Sequence, residues 1–375
     1  MAIDKELLKQ RKWPVPNFPI GQEVLDRAEP GHPDAICDDN GTPLIPRPGY
    51  TYSGKDWPAD YVSSNFIPET QLSSCPLEGI PYGSCAVKKL AVCGKSIRGI
   101  AGGNNESWLF TVGEKGISGV QKLSGNAEPA ALGCIGEDPA VLLSDGSICN
   151  AAGEKLLQLP GKVVNAEACG SLFGGLLEDG KLFLADLKDD SIQTAVPPVK
   201  GAVSPAFAIG ANILYGVCGY GEIFSFDGKK ALVSGCRMPG FAGRAVYNQA
   251  SALLLDEERN LLWGGSSEDG ILFAFDIAAK TVRSYGKMLP GRGIQALALD
   301  GNKLYGIGTL NCCRIFSRDL ATGEVVDHGM VNQTQPRTWC LYEAYTLLIP
   351  GPGILLLGEA ERISHLFRVD MNKGK

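Results

Sequence analysis

Leu172-Phe173-Gly174-Gly175 is followed by Glu178-Asp179-Gly180, Leu182-Phe183 and Asp186. The same phrase returns later as Leu262-Trp263-Gly264-Gly265, Glu268-Asp269-Gly270, Leu272-Phe273 and Asp276, at identical offsets. Apolar runs of strand length flank a turn rich in Gly and Asp, which is typical of two paired β-strands. Because such a unit cannot bury both of its faces alone, its recurrence predicts that copies of it stack on one another.

Five further units share this order of second strand, turn and third strand. We place their second strands at residues 108–110, 141–143, 213–216, 303–306 and 354–358. Seven units over residues 84–375 give a period of about 42 residues, the length of a four-stranded blade. The sequence therefore predicts an all-β fold, a seven-bladed β-propeller with four-stranded antiparallel blades.

The region before the repeats differs in composition. Residues 1–83 hold 12 of the 23 prolines, and proline removes a backbone donor from a sheet. We therefore predict a Pro-rich N-terminal arm over residues 1–83 that packs on the propeller formed by residues 84–375. Unit seven lacks its fourth strand, because little follows Asp370. We expect the segment 86–92 to close the ring beside residues 366–370, since an exposed edge favours aggregation.

Composition limits the partners and the compartment. The net charge is −6, which argues against a general attraction to nucleic acid or to anionic membranes. No stretch approaches the 18 apolar residues of a membrane span. The first residues are charged and do not resemble a signal peptide, so we expect a cytoplasmic protein whose 12 cysteines are reduced and mostly buried. Disulfides in a secreted protein are the alternative.

The repeated phrase resembles the blades of Kelch-type propellers, and Asp319-Leu320-Ala321-Thr322-Gly323 resembles a turn common in the broader Kelch, NHL and YVTN-like group. The outer-strand Trp of Kelch blades and the Trp-Asp pair of WD-type blades are absent from this sequence. The resemblance implies the propeller fold over about 290 residues. Members of this group include sugar lyases, hydrolases, oxidases and pure interaction modules, so the resemblance does not select an activity.

Cations recur in the connections between units, just before each first strand. They are Lys162, Lys200, Arg244, Arg292 and Arg337. In a propeller these connections lie at one mouth of the channel, so the five side chains either form a partial ring or pair with acids of neighbouring blades. A ring would attract carboxylate, phosphate or sulfate, which Arg binds with two parallel hydrogen bonds.

The same connections carry polar and aromatic residues that would orient a sugar. These ligand-binding candidates are Asn248, Gln295 and Trp339, and the aromatic side chain is equally well explained as core packing. Tyr247 and His328 are the candidates for proton transfer, on the condition that they line the channel. A lone histidine such as His328 is also commonly structural.

Metal and cofactor signals are missing from the sequence. The three histidines have no ligand spacing, Cys312-Cys313 is better explained as packed small residues, and no phosphate-binding loop or nucleophile elbow is present. We expect no metal and no cofactor.

Two functions remain open. The first is binding of a small anionic, acidic-sugar-like ligand at the channel mouth, with lyase or hydrolase action in which the arginines neutralise a carboxylate. The second is a non-catalytic protein-interaction scaffold. It would use the arm and a face formed by the turns 114–116, 179–180 and 268–270.

Overall fold

The structure is a computed structural model that describes residues 62–63, 67–76, 85–114, 116–124, 126–239, 249–267, 270–289, 292–309, 313–333, 339–360 and 365–373. Seven antiparallel sheets of four strands form the blades of a β-propeller, which confirms the predicted fold. Helix is confined, among these residues, to one 3-10 turn at Glu69–Gln71. No helix in the described part of the chain has the length and hydropathy needed to cross a membrane.

Each blade is built from four consecutive strands, except blade 7. The innermost strands of blades 1 to 7 are Ala86–Cys93, Pro129–Ile135, Val163–Cys169, Val203–Gly210, Ala250–Asp256, Arg292–Asp300 and Ala344–Gly351. The second strands are Ser96–Gly103, Asp138–Leu143, Leu172–Leu177, Ile213–Cys218, Leu261–Ser266, Lys303–Thr309 and Ile354–Glu359. The third strands are Glu106–Gly113, Ser147–Asn150, Leu182–Asp186, Glu222–Phe226, Ile271–Asp276, Cys313–Asp319 and His365–Asp370. The outermost strands of blades 1 to 6 are Gly116–Ser124, Lys155–Gln158, Ser191–Ala195, Ala231–Arg237, Thr281–Lys287 and Val325–Met330.

The strand that completes blade 7 comes from the N-terminal side of the repeats. Leu72–Pro76 pairs antiparallel with His365–Asp370, so that Leu72 lies opposite Val369 and Pro76 opposite His365. The prediction that residues 86–92 close the ring is therefore wrong. Ala86–Cys93 is the innermost strand of blade 1, and its Val87 and Leu90 pack against Leu356 and Leu366 of blade 7.

This correction changes the register of blade 1. Residues 108–110 lie in its third strand, not in its second, and the turn at 114–116 joins the third and fourth strands. The turn between its second and third strands is Asn104-Asn105, with φ angles of 54° and 63°. Asn accepts such angles more readily than most residues, because its short polar side chain tolerates the left-handed region. The other six units have their second strands at the predicted residues.

Two short pairings lie outside the regular blades. Val62–Ser63 adds a parallel fifth strand to the outermost strand of blade 6. Asn332–Gln333 pairs with Trp339–Cys340 in the connection from blade 6 to blade 7. Residues 1–61 lie outside the described residues, so the predicted arm stays a prediction for them.

The repeated glycines and phenylalanines are partners across strands. Gly264 of the second strand lies opposite Phe273 of the third, and a Cβ at Gly264 would stand 2.1 Å from that ring. The same pairing recurs in three further blades, as Gly99 with Phe110, Gly216 with Phe224 and Gly306 with Phe316. The rings of Phe110, Phe224, Phe273 and Phe316 are buried, so the phrase that reveals the repeat encodes the cores of the blades.

One pair of cysteines departs from expectation. Cys93 and Cys134 form a disulfide between the ends of the innermost strands of blades 1 and 2, so the prediction of reduced cysteines is wrong for this pair. Cys313 is buried, with its Sγ 3.3 Å from the carbonyl oxygen of Tyr342, as expected for a packed small residue. Cys312 lies outside the described residues, and the compartment stays a prediction.

Candidate functional site at the channel mouth

In each blade, the turn between the second and third strands lies at the same end as the start of the innermost strand, because neighbouring strands are antiparallel. We call this end of the propeller the mouth face. On this face, a backbone hydrogen bond of 2.8–2.9 Å recurs within five blades. The N–H of the residue after the second strand donates to the carbonyl oxygen of the residue just before the innermost strand. The acceptors are Glu128, Lys162, Ala202, Gln249 and Glu343, which therefore occupy equivalent positions in five blades.

The predicted ring of cations does not occupy these equivalent positions. Only Lys162 does so, whereas the corresponding residues of blades 2 and 7 are Glu128 and Glu343. Lys200 precedes its blade's equivalent position, Ala202, and is exposed like Lys162. The five equivalent positions therefore hold two acids, one cation and two neutral residues, and the partial ring of cations stays a prediction.

The arginines of the predicted ring are placed only in part. Arg244 and Arg337 lie outside the described residues, together with Tyr247 and Asn248. Arg292 begins the innermost strand of blade 6, where its backbone pairs with Thr309. The carboxylate site built on these arginines stays a prediction.

Two lysines of blade 1 show how charge is arranged in the channel. Lys88 lies with its Nζ 3.6 Å from Glu128 Oε2 and 5.4 Å from the centre of the Tyr345 ring of blade 7. Lys89 donates to Glu167 Oε2 of blade 3 over 2.5 Å, so this pair crosses in front of blade 2. Half-exposed pairs of this kind contribute about 0–1 kcal/mol each. Both lysine charges in the channel are therefore already paired with a carboxylate.

Exposed aromatic side chains are concentrated on the mouth face. Tyr220 lies in the turn between the second and third strands of blade 4, Tyr342 precedes the innermost strand of blade 7, and Tyr345 lies near the start of that strand. Their side chains are 50%, 48% and 47% exposed, and the remaining aromatic rings whose burial the structure describes are buried or half-buried. The three most exposed rings of the described chain thus share one face.

The environment of Tyr345 keeps its phenol neutral. Burial raises its pKa above the ordinary value, and the nearby carboxylate of Glu343 raises it further. A neutral phenol both donates and accepts a hydrogen bond while its ring offers apolar area. The tyrosine is therefore suited to contact a partner rather than to abstract a proton near pH 7.

His328 does not meet the condition for a catalytic role. It lies in the outermost strand of blade 6, whereas the channel is lined by innermost strands. Its Nε2 is 2.8 Å from Ser317 Oγ, and its ring stacks on Tyr305 at 6.1 Å. Burial lowers its pKa to about 4, partly opposed by Asp327, so the ring is neutral at pH 7. The structure places it within blade 6.

Gln295 and Trp339 lie at the junction of blades 6 and 7. Gln295 belongs to the innermost strand of blade 6, and its Oε1 accepts a hydrogen bond from the backbone N–H of Ala344 at 3.1 Å. This amide oxygen therefore serves the fold. Trp339 pairs through its backbone with Gln333. Neither residue is joined to Lys162 or Lys200 by a contact that the structure describes.

Sequence reasoning missed the residues that the structure brings together at the mouth. Lys88, Lys89 and Glu167 lie in strands that read as ordinary β-sequence, and their meeting depends on which blades face each other across the channel. Tyr220 carried a local signal, since Gly219-Tyr220-Gly221 places an aromatic residue at the tip of a turn, where it cannot be buried within its own blade. No cluster of three or more metal-ligating side chains occurs among the described residues.

The chain resembles solved β-propellers in fold. It is similar to the WD40 β-propeller domain of Doa1 (13% identity, TM-score 0.57, covering 81% of this chain and 97% of that one). It is also similar to YCF48 bound to D1 peptide (11% identity, TM-score 0.58, 82% and 99%) and to a chain of the mitotic checkpoint complex (12% identity, TM-score 0.57, 81% and 92%). At these identities the likeness establishes the fold alone. No protein-family model and no curated protein matches the chain.

Proposed function

We propose that this propeller is a binding module whose mouth face recognises a peptide segment of a protein partner. The observation that carries the proposal is the concentration of Tyr220, Tyr342 and Tyr345 on that face. Tyrosine offers a large, rigid contact surface at low cost in conformational entropy, and it is enriched where proteins meet. Exposed aromatic rings gathered on one face of a protein favour an interaction site.

The arrangement of charges also supports a binding role. Lys88 and Lys89 are already paired with Glu128 and Glu167, as expected for a surface that displays mixed charge to a partner. Two propellers of similar fold occur, by their descriptions, in a multiprotein checkpoint complex and in a complex with a peptide. Blades 4 and 7 lie on different sides of the ring. A ligand that contacts Tyr220 and Tyr345 together must therefore span the mouth, which favours an extended segment over a small molecule.

The experiment is selection of random 12-residue peptides on the intact protein, followed by fluorescence anisotropy with the selected peptides. We expect them to bind at least tenfold more weakly when Tyr220, Tyr342 and Tyr345 are replaced together by Ser. The matched control is Val92→Ser with Ile135→Ser, which changes exposed apolar residues at the opposite ends of innermost strands. Recovery of no binding peptide, or peptides that bind the Tyr variant and the wild type equally, would reject the proposal.

A small anionic ligand is the second candidate for the same face. Lys162 and Lys200 are exposed there, and no ion pair is formed by either one with another described residue. Lyase or hydrolase action on an acidic sugar is the finer form of this candidate. A ligand that binds only the folded state raises its melting temperature. Galacturonate, sialic acid and sugar phosphates are therefore the compounds to compare on the wild type and on Arg292→Ala.

A further inference from the structure

A second cluster of aromatic and basic residues lies on the outer wall between blades 5 and 6, away from the mouth. Tyr285 lies in the outermost strand of blade 5, and its ring packs at 5.3 Å from Trp263. Two guanidinium groups lie against the same ring. The Cζ of Arg318, from the third strand of blade 6, is 4.4 Å from the ring centre, and the Cζ of Arg283 is 5.1 Å from it.

Neither arginine has an anionic partner in the described part of the chain. No described carboxylate lies within 4.0 Å of either guanidinium group. The carboxylates of Asp276 and Asp319, at the ends of the neighbouring strands, accept backbone N–H groups of their own turns at 2.8–3.0 Å. The acids nearest in sequence are thus engaged in shaping turns.

Arg283 and Arg318 thus place two positive charges close together, and no described carboxylate pairs with either one. Burial lowers the pKa of Arg318, the Tyr285 phenol opposes this, and the like charge of Arg283 lowers it further. A half-buried cation without a counter-ion is unfavourable, so an anion that enters here restores the lost electrostatic balance. By contrast, Arg237, on the outermost strand of blade 4, pairs with Glu222 at 2.8 Å.

The geometry also leaves the arginines free to bind. Arg283 and Arg318 are held near the Tyr285 ring by cation–π contacts, which do not use the N–H groups that a guanidinium offers to an anion. Two such groups present forks that match the oxygens of a phosphate, and two positive charges match a dianion better than a single carboxylate.

We propose that Arg283, Tyr285 and Arg318 form a binding site for a phosphate monoester on the outer wall between blades 5 and 6. The phosphate is carried either by a small molecule or by a phosphorylated side chain, since the recognised group is the same. The site is independent of the mouth face, which lies at the ends of the blades and not on their outer wall.

The test is isothermal titration of the intact protein with two probes, phenyl phosphate and a capped pentapeptide that contains one phosphoserine. We expect saturable binding to the wild type and at least tenfold weaker binding to Arg283→Met and to Arg318→Met. Arg237→Met is the matched control and keeps wild-type affinity. Arg318→Lys retains the charge but loses the fork and the stack, and it is expected to bind more weakly as well.

The two probes distinguish the sources of the phosphate. If the phosphoserine peptide binds at least tenfold more tightly than phenyl phosphate, the site is assigned to phosphorylated proteins. If the two probes bind with equal affinity, the site recognises the phosphate group alone. The proposal would be overturned if neither probe bound saturably. It would also be overturned if Arg283→Met and Arg318→Met both bound the probes with the affinity of the wild type. The triple Tyr→Ser variant of the mouth face should bind phenyl phosphate like the wild type, so a failure at one site is separable from a failure at the other.

Discussion

At the scale of single residues, position within a blade decides what a side chain can do. His328 and Tyr345 both carry ionisable groups, yet one lies in an outermost strand beside Ser317 and the other is exposed at the channel mouth. The sequence identified His328 as a candidate because histidine titrates near neutral pH. Its burial removes that property, and burial of this kind follows from packing between strands that a single sequence does not display.

The stability of the fold should depend on the protonation of His328. Its pKa of about 4 in the folded chain lies below the ordinary value of 6.5, so the unfolded chain binds more protons between these two values. The stability contributed by the neutral ring is complete above about pH 6.5 and is lost as the pH falls towards 4. We expect the wild type to lose about 2–3 kcal/mol more than His328→Gln between pH 7.5 and pH 4.5.

Urea denaturation at the two pH values measures this difference. Gln retains a polar group for Ser317 but does not titrate, so other ionisable groups contribute equally to both proteins. Identical losses in the wild type and in His328→Gln would show that the histidine is accessible to protons in the folded chain.

At the scale of strands, the contact between Gly and Phe explains why these two residues recur at matching positions in four blades. Five of the seven units can be placed from sequence because a Gly-containing second strand and a Phe-containing third strand recur at similar offsets, and blade 2 is placed by its apolar run before the Asp145-Gly146 turn. Blade 1 was misplaced. Its third strand, with Trp108 and Phe110, resembles a second strand when read without its partner, and the Asn104-Asn105 turn before it lacks the usual Gly.

Gly264→Ala tests the role of this contact. The new Cβ would stand 2.1 Å from the Phe273 ring, so the ring or the backbone must shift. Overpacking of this kind destabilises a core by about 1–3 kcal/mol, and we expect a loss of that size in the free energy of unfolding. Pairing the change with Phe273→Leu should recover part of the loss, because the shorter side chain vacates the space.

Gly351→Ala is the control for Gly264→Ala. It adds the same atom to a strand where a Cβ would meet nothing within 4 Å. Chemical denaturation of the three variants and the wild type gives the comparison. Equal stability of Gly264→Ala and Gly351→Ala would show that the ring yields without cost and that the repeated Gly is not required by packing.

At the scale of the whole molecule, ring closure joins distant parts of the chain. The incomplete seventh unit correctly indicated that an N-terminal strand must complete the last blade. The sequence did not indicate which strand it was, because both 86–92 and 72–76 are short segments near the first repeat. Leu72–Pro76 contains a proline, which argued against a strand, yet Pro76 lies at its end, where proline is tolerated.

Removal of the closing strand should destabilise the entire ring. A chain that starts at residue 77 lacks Leu72, which is buried against Leu355 and Leu357 of blade 7, and it exposes the edge of His365–Asp370. An unpaired edge and an uncovered apolar face favour association between molecules. We expect a lower melting temperature and aggregation detected by light scattering.

A chain that starts at residue 67 keeps Leu72–Pro76 and serves as the matched control, since it loses the preceding segment but retains closure. The substitution Leu72→Asp within the full chain tests the same contact without truncation. If the chain from residue 77 melts like the chain from residue 67, the pairing of Leu72–Pro76 does not hold the ring closed.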